Sequence, residues 1–327
     1  MPRTIQALSE SLPLAAPFRI SRGVKTAAEV VTVSIGKDGA LGRGEAVPYA
    51  RYGETINSVL AQIASVTPNL AQGMERLDLL ETLPAGAARN AIDCALWDLE
   101  ARLSGHTVGQ LIGRAEPGPL VTALTVSLDE PQAMGRAAAA YGEVQLLKVK
   151  VDAVQPEACL RAVRAAQPKA RLIVDPNEGW TFDLLRDLQP ALQALEVSLI
   201  EQPLPAEADH ALAGFSPTIP ICADESCHVA ADLLGLVGRY QVVNIKLDKS
   251  GGLTEALILL EAARAQGFGI MVGCMVASSL GIAPAFHLAA EAAFVDLDGP
   301  IWLKQDRPGG VALHGGLLSP PRPGFWG

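Results

Sequence analysis

The chain has no C-x-x-C pair, no block of like charges and no histidines at metal-ligand spacing. It also has no uninterrupted apolar run of membrane length. Each absence removes a class of function. Five cysteines, Cys94, Cys159, Cys222, Cys227 and Cys274, are an odd number in a 327-residue chain. They suit free thiols in a reducing compartment rather than a disulfide framework. Cys222 and Cys227 flank Asp224 without a base partner nearby in sequence, so packing is their expected role. The 26 Lys and Arg and 35 Asp and Glu are interleaved, with a formal charge of −9. Neither nucleic acid nor an anionic membrane is therefore expected as a partner. The segment from Met1 to Pro13 contains no h-region, so no signal peptide is expected. The longest apolar stretch, 269–290, is broken by Gly273, Gly281, Pro284 and His287. It fits a strand followed by a buried helix better than a membrane span. A cytoplasmic protein is expected.

What is present divides in two. Residues 4–10, 29–36 and 41–46 read as strands, the last two joined by the turn Lys37-Asp38-Gly39. The basic segment Phe18–Thr26 reads as a loop. Helices are expected over 54–66, ending before Pro68, over 73–82, and over 87–103. In the third, Ala88, Ala91, Ile92, Ala95, Leu96, Leu99 and Leu103 share one face and Gly105 is the stop. Strands followed by helices make an α+β unit, assigned to residues 1–115 and closed by the proline- and glycine-containing stretch Arg114–Pro119.

From Leu120 strand and helix alternate. Five apolar runs each end on a charge, at Lys150, Asp175, Glu201, Asp224 and Lys246, spaced by about 22–26 residues. One strand, one helix and two short loops need that length. Adding strands at 120–126, 268–272 and 293–297 gives eight strands with seven intervening helices. That pattern predicts an α/β barrel of the (β/α)7β kind over 116–300. The Pro- and Gly-rich segment 301–327 is expected to pack back on, and complete, the first domain.

The charges fall at the carboxyl ends of the strands, where such barrels keep their active sites. Lys148 and Lys150 are two apart and share a face. Pointing into the mouth suits them better than burial under the helices. Asp175, Glu201 and Asp224 end three neighbouring strands. Together they repel unless a cation lies between them, and an all-oxygen set suits Mg²⁺, with Mn²⁺ as the second choice. The competing arrangement is separate salt bridges to Lys148, Lys150 or Lys246. Strands 2 and 6 are opposed in a ring of eight, so Lys150 and Lys246 should face each other as two bases. A substrate carboxylate on the metal would hold its α-carbon between them, with the metal stabilising the enediolate. That arrangement suits a 1,1-proton transfer. Asp296 and Asp298 share a face of strand 8, across the mouth from the metal strands, and suit a cationic substrate group. Alternatively, they balance Lys246 or a loop arginine.

This set of residues resembles the enolase superfamily, muconate-lactonising subgroup, over nearly the whole chain. It comprises Lys148-Val149-Lys150, the acids at 175, 201 and 224, and Lys246 within Asn244–Gly252. A lysine base working with Mg²⁺ is that superfamily's established chemistry. The resemblance implies catalytic Lys150 and Lys246, supported by Lys148, Asn177 and Glu225, with Asp175, Glu201 and Asp224 as metal ligands. Asp296-x-Asp298 looks like the pair that holds the α-ammonium in dipeptide epimerases. Substrate contacts are further expected from Met275 and Ser278 in the strand 7 loop, and from Arg22 and Lys25 in the loop over the mouth. Counting from Phe18 to Glu29 sets the arginine that some relatives use for a glutamate side chain against Gly23, one place after Arg22. Arg51 and Tyr52 in a second cap loop are further candidates. No histidine follows strand 7 at a base position, which counts against the mandelate racemase branch. The function implied is a Mg²⁺-dependent, homo-oligomeric dipeptide epimerase of the L-Ala-D/L-Glu type, with a place in peptidoglycan recycling. The alternatives are a cycloisomerase, an o-succinylbenzoate synthase, an N-acylamino acid racemase, or a non-catalytic metal- or ligand-binding barrel.

Overall fold

The computed structural model of the chain describes residues 2–327. An antiparallel sheet of β1 (Thr4–Ile20), β2 (Gly23–Lys37) and β3 (Ala40–Ala46) comes first. Lys37 faces Ala40 across Asp38 and Gly39, at φ 49° and 85°. Two consecutive positive φ values match the twist of a tight hairpin. The segment Phe18–Thr26, read from the sequence as a loop, is instead the end of a second hairpin. There Phe18 pairs with Lys25 and Ile20 with Gly23. The sequence misled because Pro13 and Pro17 lie in this strand. The ladder shifts register between Pro13 and Phe18, which accommodates residues that have no N–H to donate.

β2 serves two cores. Val31, Val33 and Ile35 pack on the cap helices, while Ala28 and Val30 join Met275, Val276 and Ala277 of the barrel. The cap helices are α1 (Ile56–Ala71), α2 (Arg76–Thr82), α3 (Ala87–Ser104) and α4 (Val108–Leu111). α1 continues through Pro68, where the sequence suggested a stop. The missing N–H falls close to the helix end, so little of the bond ladder is lost. β3 lies flat on α3 through Gly42 and Gly44. A Cβ on Gly44 would stand 2.8 Å from the Ala95 nitrogen, and closer still to the Ala91 carbonyl oxygen. Gly44→Val should therefore destabilise the protein by about 3 kcal/mol through overpacking. A denaturant midpoint equal to that of the wild type would contradict this contact.

The expected first barrel strand divides. β4 (Leu120–Val121) leaves the barrel, and β5 (Leu124–Val126) enters it. Around the ring follow β6 (Leu146–Lys150), β7 (Arg171–Asp175), β8 (Val197–Glu201), β9 (Ile221–Ala223), β10 (Val242–Ile245), β11 (Gly269–Gly273) and β12 (Phe294–Asp296). The ends meet where Ala123 N donates to Val295 O (2.7 Å) and Leu297 N to Thr122 Oγ1 (2.9 Å). Outside the strands lie α5 (Pro131–Ala140), α6 (Pro156–Ala166), α7 (Phe182–Ala194), α8 (Leu233–Leu236), α9 (Leu247–Ser250), α10 (Leu253–Ala265), α11 (Ser279–Ile282) and α12 (Phe286–Ala289). The helix expected over 279–290 is split by a 3-10 turn containing Pro284. Only a 3-10 segment, Ala206–Leu212, links β8 to β9, where a full helix was expected.

The pleat of β6 decides where the lysines go. Leu147, Val149 and Val151 face the helices, and Leu146 joins Ile173, Leu199, Met271 and Phe294 in plugging the barrel floor. Lys148 and Lys150 rise above that plug on the same inner face. Of the tail, β13 (Ala312–His314) pairs with β14 (Leu317–Ser319), which pairs in turn with β4, on the barrel rather than on the cap. Trp326 reaches the cap, where Nε1 donates to Arg43 O (3.0 Å). Among the described residues no helix is long and apolar enough to cross a membrane.

Candidate active site

The barrel mouth opens into a cavity of about 740 Å³, roofed by the β1–β2 hairpin tip and the cap loop at 47–52. Its floor is an ion cluster. Lys148 Nζ lies 3.0 Å from Asp175, 2.7 Å from Glu201 and 2.9 Å from Asp296. Lys150 Nζ donates to Asp175 Oδ2 (2.5 Å). Four strands round the ring, Lys246 Nζ donates to Asp224 Oδ2 (2.6 Å) and stands 3.9 Å from Glu201. The salt bridges weighed as the alternative are thus present, and they bring all three expected metal carboxylates and both expected bases into one cluster.

The electrostatics follow from burial. Burial alone would push Lys148 down, but Asp175, Asp296 and Glu201 outweigh it and hold its ammonium well above the usual range. Lys246 is likewise held up, chiefly by Asp224 against its own burial. Asp224 would rise on burial, yet Lys246, Lys249 and Lys148 keep it far below the ordinary carboxylate range. Glu201 goes the other way, to about 7, because it is buried and faces the Asp175 carboxylate. Glu225 also reaches about 7, through burial and the charge of Asp224. The same site thus holds Asp175 and Asp224 down through their lysines while burial lifts Glu201 and Glu225.

Among the described residues no three His, Cys, Asp or Glu side chains are arranged to hold a metal ion as they stand. Ammonium groups stand between the carboxylates instead. By chemistry the set fits a hard divalent cation: three buried carboxylates on adjacent strands, two of them sharing one ammonium. Among the described residues, Asn177 Oδ1, Glu225 Oε2 and Asp296 Oδ1 are buried acceptors on mouth-lining residues with no hydrogen-bond donor. Buried acceptors left without donors are costly, so these are natural ligand contacts.

Residues 132–325 match the family model described as enolase C-terminal domain-like. Residues 3–113 match the mandelate racemase/muconate lactonizing enzyme N-terminal domain. The chain belongs to the enolase superfamily. It is 49% identical over 306 residues to the L-Ala-D/L-Glu epimerase of Escherichia coli, covering 93% of this chain and 95% of that protein. It is 46% identical over 300 residues to an N-acetyl-D-glutamate racemase of Pseudoalteromonas sp, covering 91% and 95%. A crystal structure of an Agrobacterium tumefaciens enolase family member with homology to dipeptide epimerases, with bound sodium and L-Ala-L-Glu, is 49% identical. Its TM-score is 0.97 and both chains are covered in full. A dipeptide epimerase from Methylococcus capsulatus, complexed with Mg and L-Arg-D-Lys, is 33% identical with a TM-score of 0.88, covering 100% and 99%.

In this enolase-superfamily chain the remaining expected residues fall into groups. Asn177, Glu225, Asp296, Asp298, Arg22, Lys25 and Met275 all line the mouth. Ser278 does not. It is fully buried, donates from Oγ to Glu45 Oε2 (2.5 Å), and accepts from Arg307 Nε (2.8 Å). Glu45 comes from β3 and Arg307 from the tail, so Ser278 fastens the loop after β11 to cap and tail instead of meeting a substrate. Asp296 is also placed differently from expectation. It shares the Lys148 ammonium with Asp175 and Glu201, so it stands beside the expected metal carboxylates and not across from them. A ring of eight strands is too narrow to keep them apart. Asp298 Oδ2 accepts from Thr125 N (2.7 Å), and burial together with Asp296 lifts it to about 6.

Arg22 is already engaged, with Glu225 at 2.7 Å and Glu178 at 2.8 Å, and Arg51 is held by Glu178 and Glu207. Lys25 differs. Its Nζ sits 4.7 Å from the centre of the Tyr49 ring, and among the described residues no carboxylate lies within salt-bridge distance. Sequence reasoning missed two supports. Asn244 Nδ2 donates to Glu201 Oε1 (2.9 Å). Lys249 pairs with Asp224 Oδ1 (2.8 Å) and caps the Cys227 and Asn244 carbonyls. Asn244 was legible, since two residues before Lys246 on one strand means the same inward face.

Proposed function

We propose that the chain is a dipeptide epimerase acting on substrates of the L-Ala-D/L-Glu type by 1,1-proton transfer. Reaction class is what the relatives share: they are named epimerases and racemases, isomerases of amino acid derivatives. The observation that carries the proposal is the pairing of Lys150 and Lys246, on strands opposed across one buried mouth, with carboxylates between them. Asp175, Glu201 and Asp224 are the residues that would hold Mg²⁺. Bound there, such a cation supplies positive charge for a substrate carboxylate and for the charge that develops as the α-proton leaves.

The protein's own groups do the rest. Each lysine must be neutral to take a proton. With Asp175 and Asp224 engaged elsewhere, Lys150 and Lys246 lose the partners that hold them here. One amine then removes the α-proton, and the ammonium on the other face returns one. The free Asp296 Oδ1, with Asp298 two residues on, just past the end of β12, suits the substrate's ammonium. Lys25, which among the described residues has no carboxylate within salt-bridge distance, suits the acidic side chain of the second residue.

A charge-assisted contact contributes roughly 1.5–3 kcal/mol, so Lys25→Met should lower kcat/KM for L-Ala-L-Glu about 10- to 100-fold. Turnover of a dipeptide with a neutral second residue should change little. Equal losses on both substrates would remove Lys25 from this role. The N-acyl reading is favoured by Lys148, which already takes up part of the charge of Asp296, and by the racemase relative. Comparing L-Ala-L-Glu with N-acetyl-L-glutamate separates the two. Preference for the free ammonium supports the epimerase, whereas preference for the acetylated compound makes the chain an N-acylamino acid racemase.

A further inference from the structure

Two consecutive non-glycine residues after β7 sit in the left-handed region, Asn177 at φ 48° and Glu178 at φ 66°. Side chains disfavour that conformation, and it persists where surrounding contacts impose it. Here Asn177 lines the mouth while Glu178 turns to the cap. The Glu178 side chain is 6% exposed. Its Oε2 accepts from Arg22 Nη1 and Arg51 Nε, both at 2.8 Å. Its Oε1 accepts from Arg51 Nη2 (2.8 Å) and Ala206 N (2.9 Å).

Arg22 comes from the hairpin tip, Arg51 from the second cap loop and Ala206 from the segment after β8. One carboxylate therefore ties two cap loops to two barrel loops, and Arg51 grips it with both arms, the most directional form of this pair. The same turn receives the tip directly. The Asn177 carbonyl accepts from Arg22 Nη1 (2.9 Å) and Ser21 Oγ (3.2 Å). A Cβ on Gly179 would stand 3.3 Å from Ser21 Cβ and 2.8 Å from Pro176 O, so only glycine lets the tip lie this close.

We propose that Glu178 is a positioning residue that fixes the hairpin tip over the mouth. By neutralising Arg22 and Arg51 it leaves Lys25 as the cation offered to the substrate's second residue. This rests on the dipeptide reading above. Glu178 touches neither the proton-transferring lysines nor the carboxylates on the cavity floor, so its contribution belongs to binding rather than to proton transfer.

The test uses the full chain with Mg²⁺ and two variants, Glu178→Gln and Arg51→Met. With L-Ala-L-Glu, KM should rise about tenfold while kcat stays within about twofold, the pattern of lost uniform binding. Trypsin cleavage at Arg19, Arg22 and Lys25, followed by mass spectrometry, should be about tenfold faster in both variants at nearly unchanged Tm, since a released tip opens locally. The double variant should be no worse than either single, because the two residues form one contact. An unchanged KM with wild-type cleavage rates overturns the proposal, as does a loss falling mainly on kcat. If Glu178→Gln does not fold, Arg51→Met carries the same test. Failure of the wild type to turn over the dipeptide would sink the functional reading alone, because the cleavage rates still decide the latch.

Discussion

Lys150→Ala and Lys246→Ala should each abolish net epimerisation, with losses of about 10²–10⁴-fold or more from removing a general acid/base. The losses should differ in kind. Each variant keeps one amine, and that amine serves one face of a planar intermediate. Lys150→Ala should still exchange the α-proton of one dipeptide epimer with solvent, and Lys246→Ala that of the other. The structure motivates this because the two lysines enter from β6 and the end of β10, four strands apart, and pair with different carboxylates. Separate exchange measurements on the two epimers check it. Exchange of both epimers by either single variant would exclude a two-base scheme.

Stripping divalent cations with a chelator should take activity to background, and Mg²⁺ should restore it, with Mn²⁺ as a substitute. As the chain stands, Asp175 and Asp224 hold Lys150 and Lys246 at 2.5 and 2.6 Å. An ammonium so held has no lone pair to accept a proton. Glu201 lies 2.7 Å from Lys148, and its burial and Asp175 lift it to about 7. Full activity in metal-free protein would show that the carboxylates are held only by lysines and would end the metal assignment.

The floor of this site was legible in the sequence because strand periodicity fixes direction. Two lysines two apart on a strand must share a face, and acids closing successive strands must gather at one rim. Asp175, Glu201, Asp224, Lys150 and Lys246 could therefore be grouped before any coordinates. The roof could not. Phe18–Thr26 looked like a loop because it is basic, contains Gly23 and follows Pro13 and Pro17, yet β1 and β2 resume pairing there after a register shift. Ser278 sat in a loop resembling a substrate-binding one, but its partners are Glu45, more than 200 residues earlier, and Arg307 in the tail. Contacts between distant segments leave no period in the chain. The same holds for Glu178, whose arginine partners lie over 100 residues away. Asp296 shows the opposite limit. Its face of the strand was read correctly, but distance across the ring was not, since a lysine long enough to span the mouth joins it to the acids of β7 and β8.

The central claim is that this mouth removes and returns the α-proton of a dipeptide's second residue. Incubating the wild-type protein and Mg²⁺ with L-Ala-L-Glu in D₂O, then separating the epimers for mass analysis, tests it most directly. The account predicts one deuterium at the glutamate α-carbon, appearing in recovered substrate and in the newly formed L-Ala-D-Glu. Recovery of the dipeptide with no deuterium and no second epimer would contradict it.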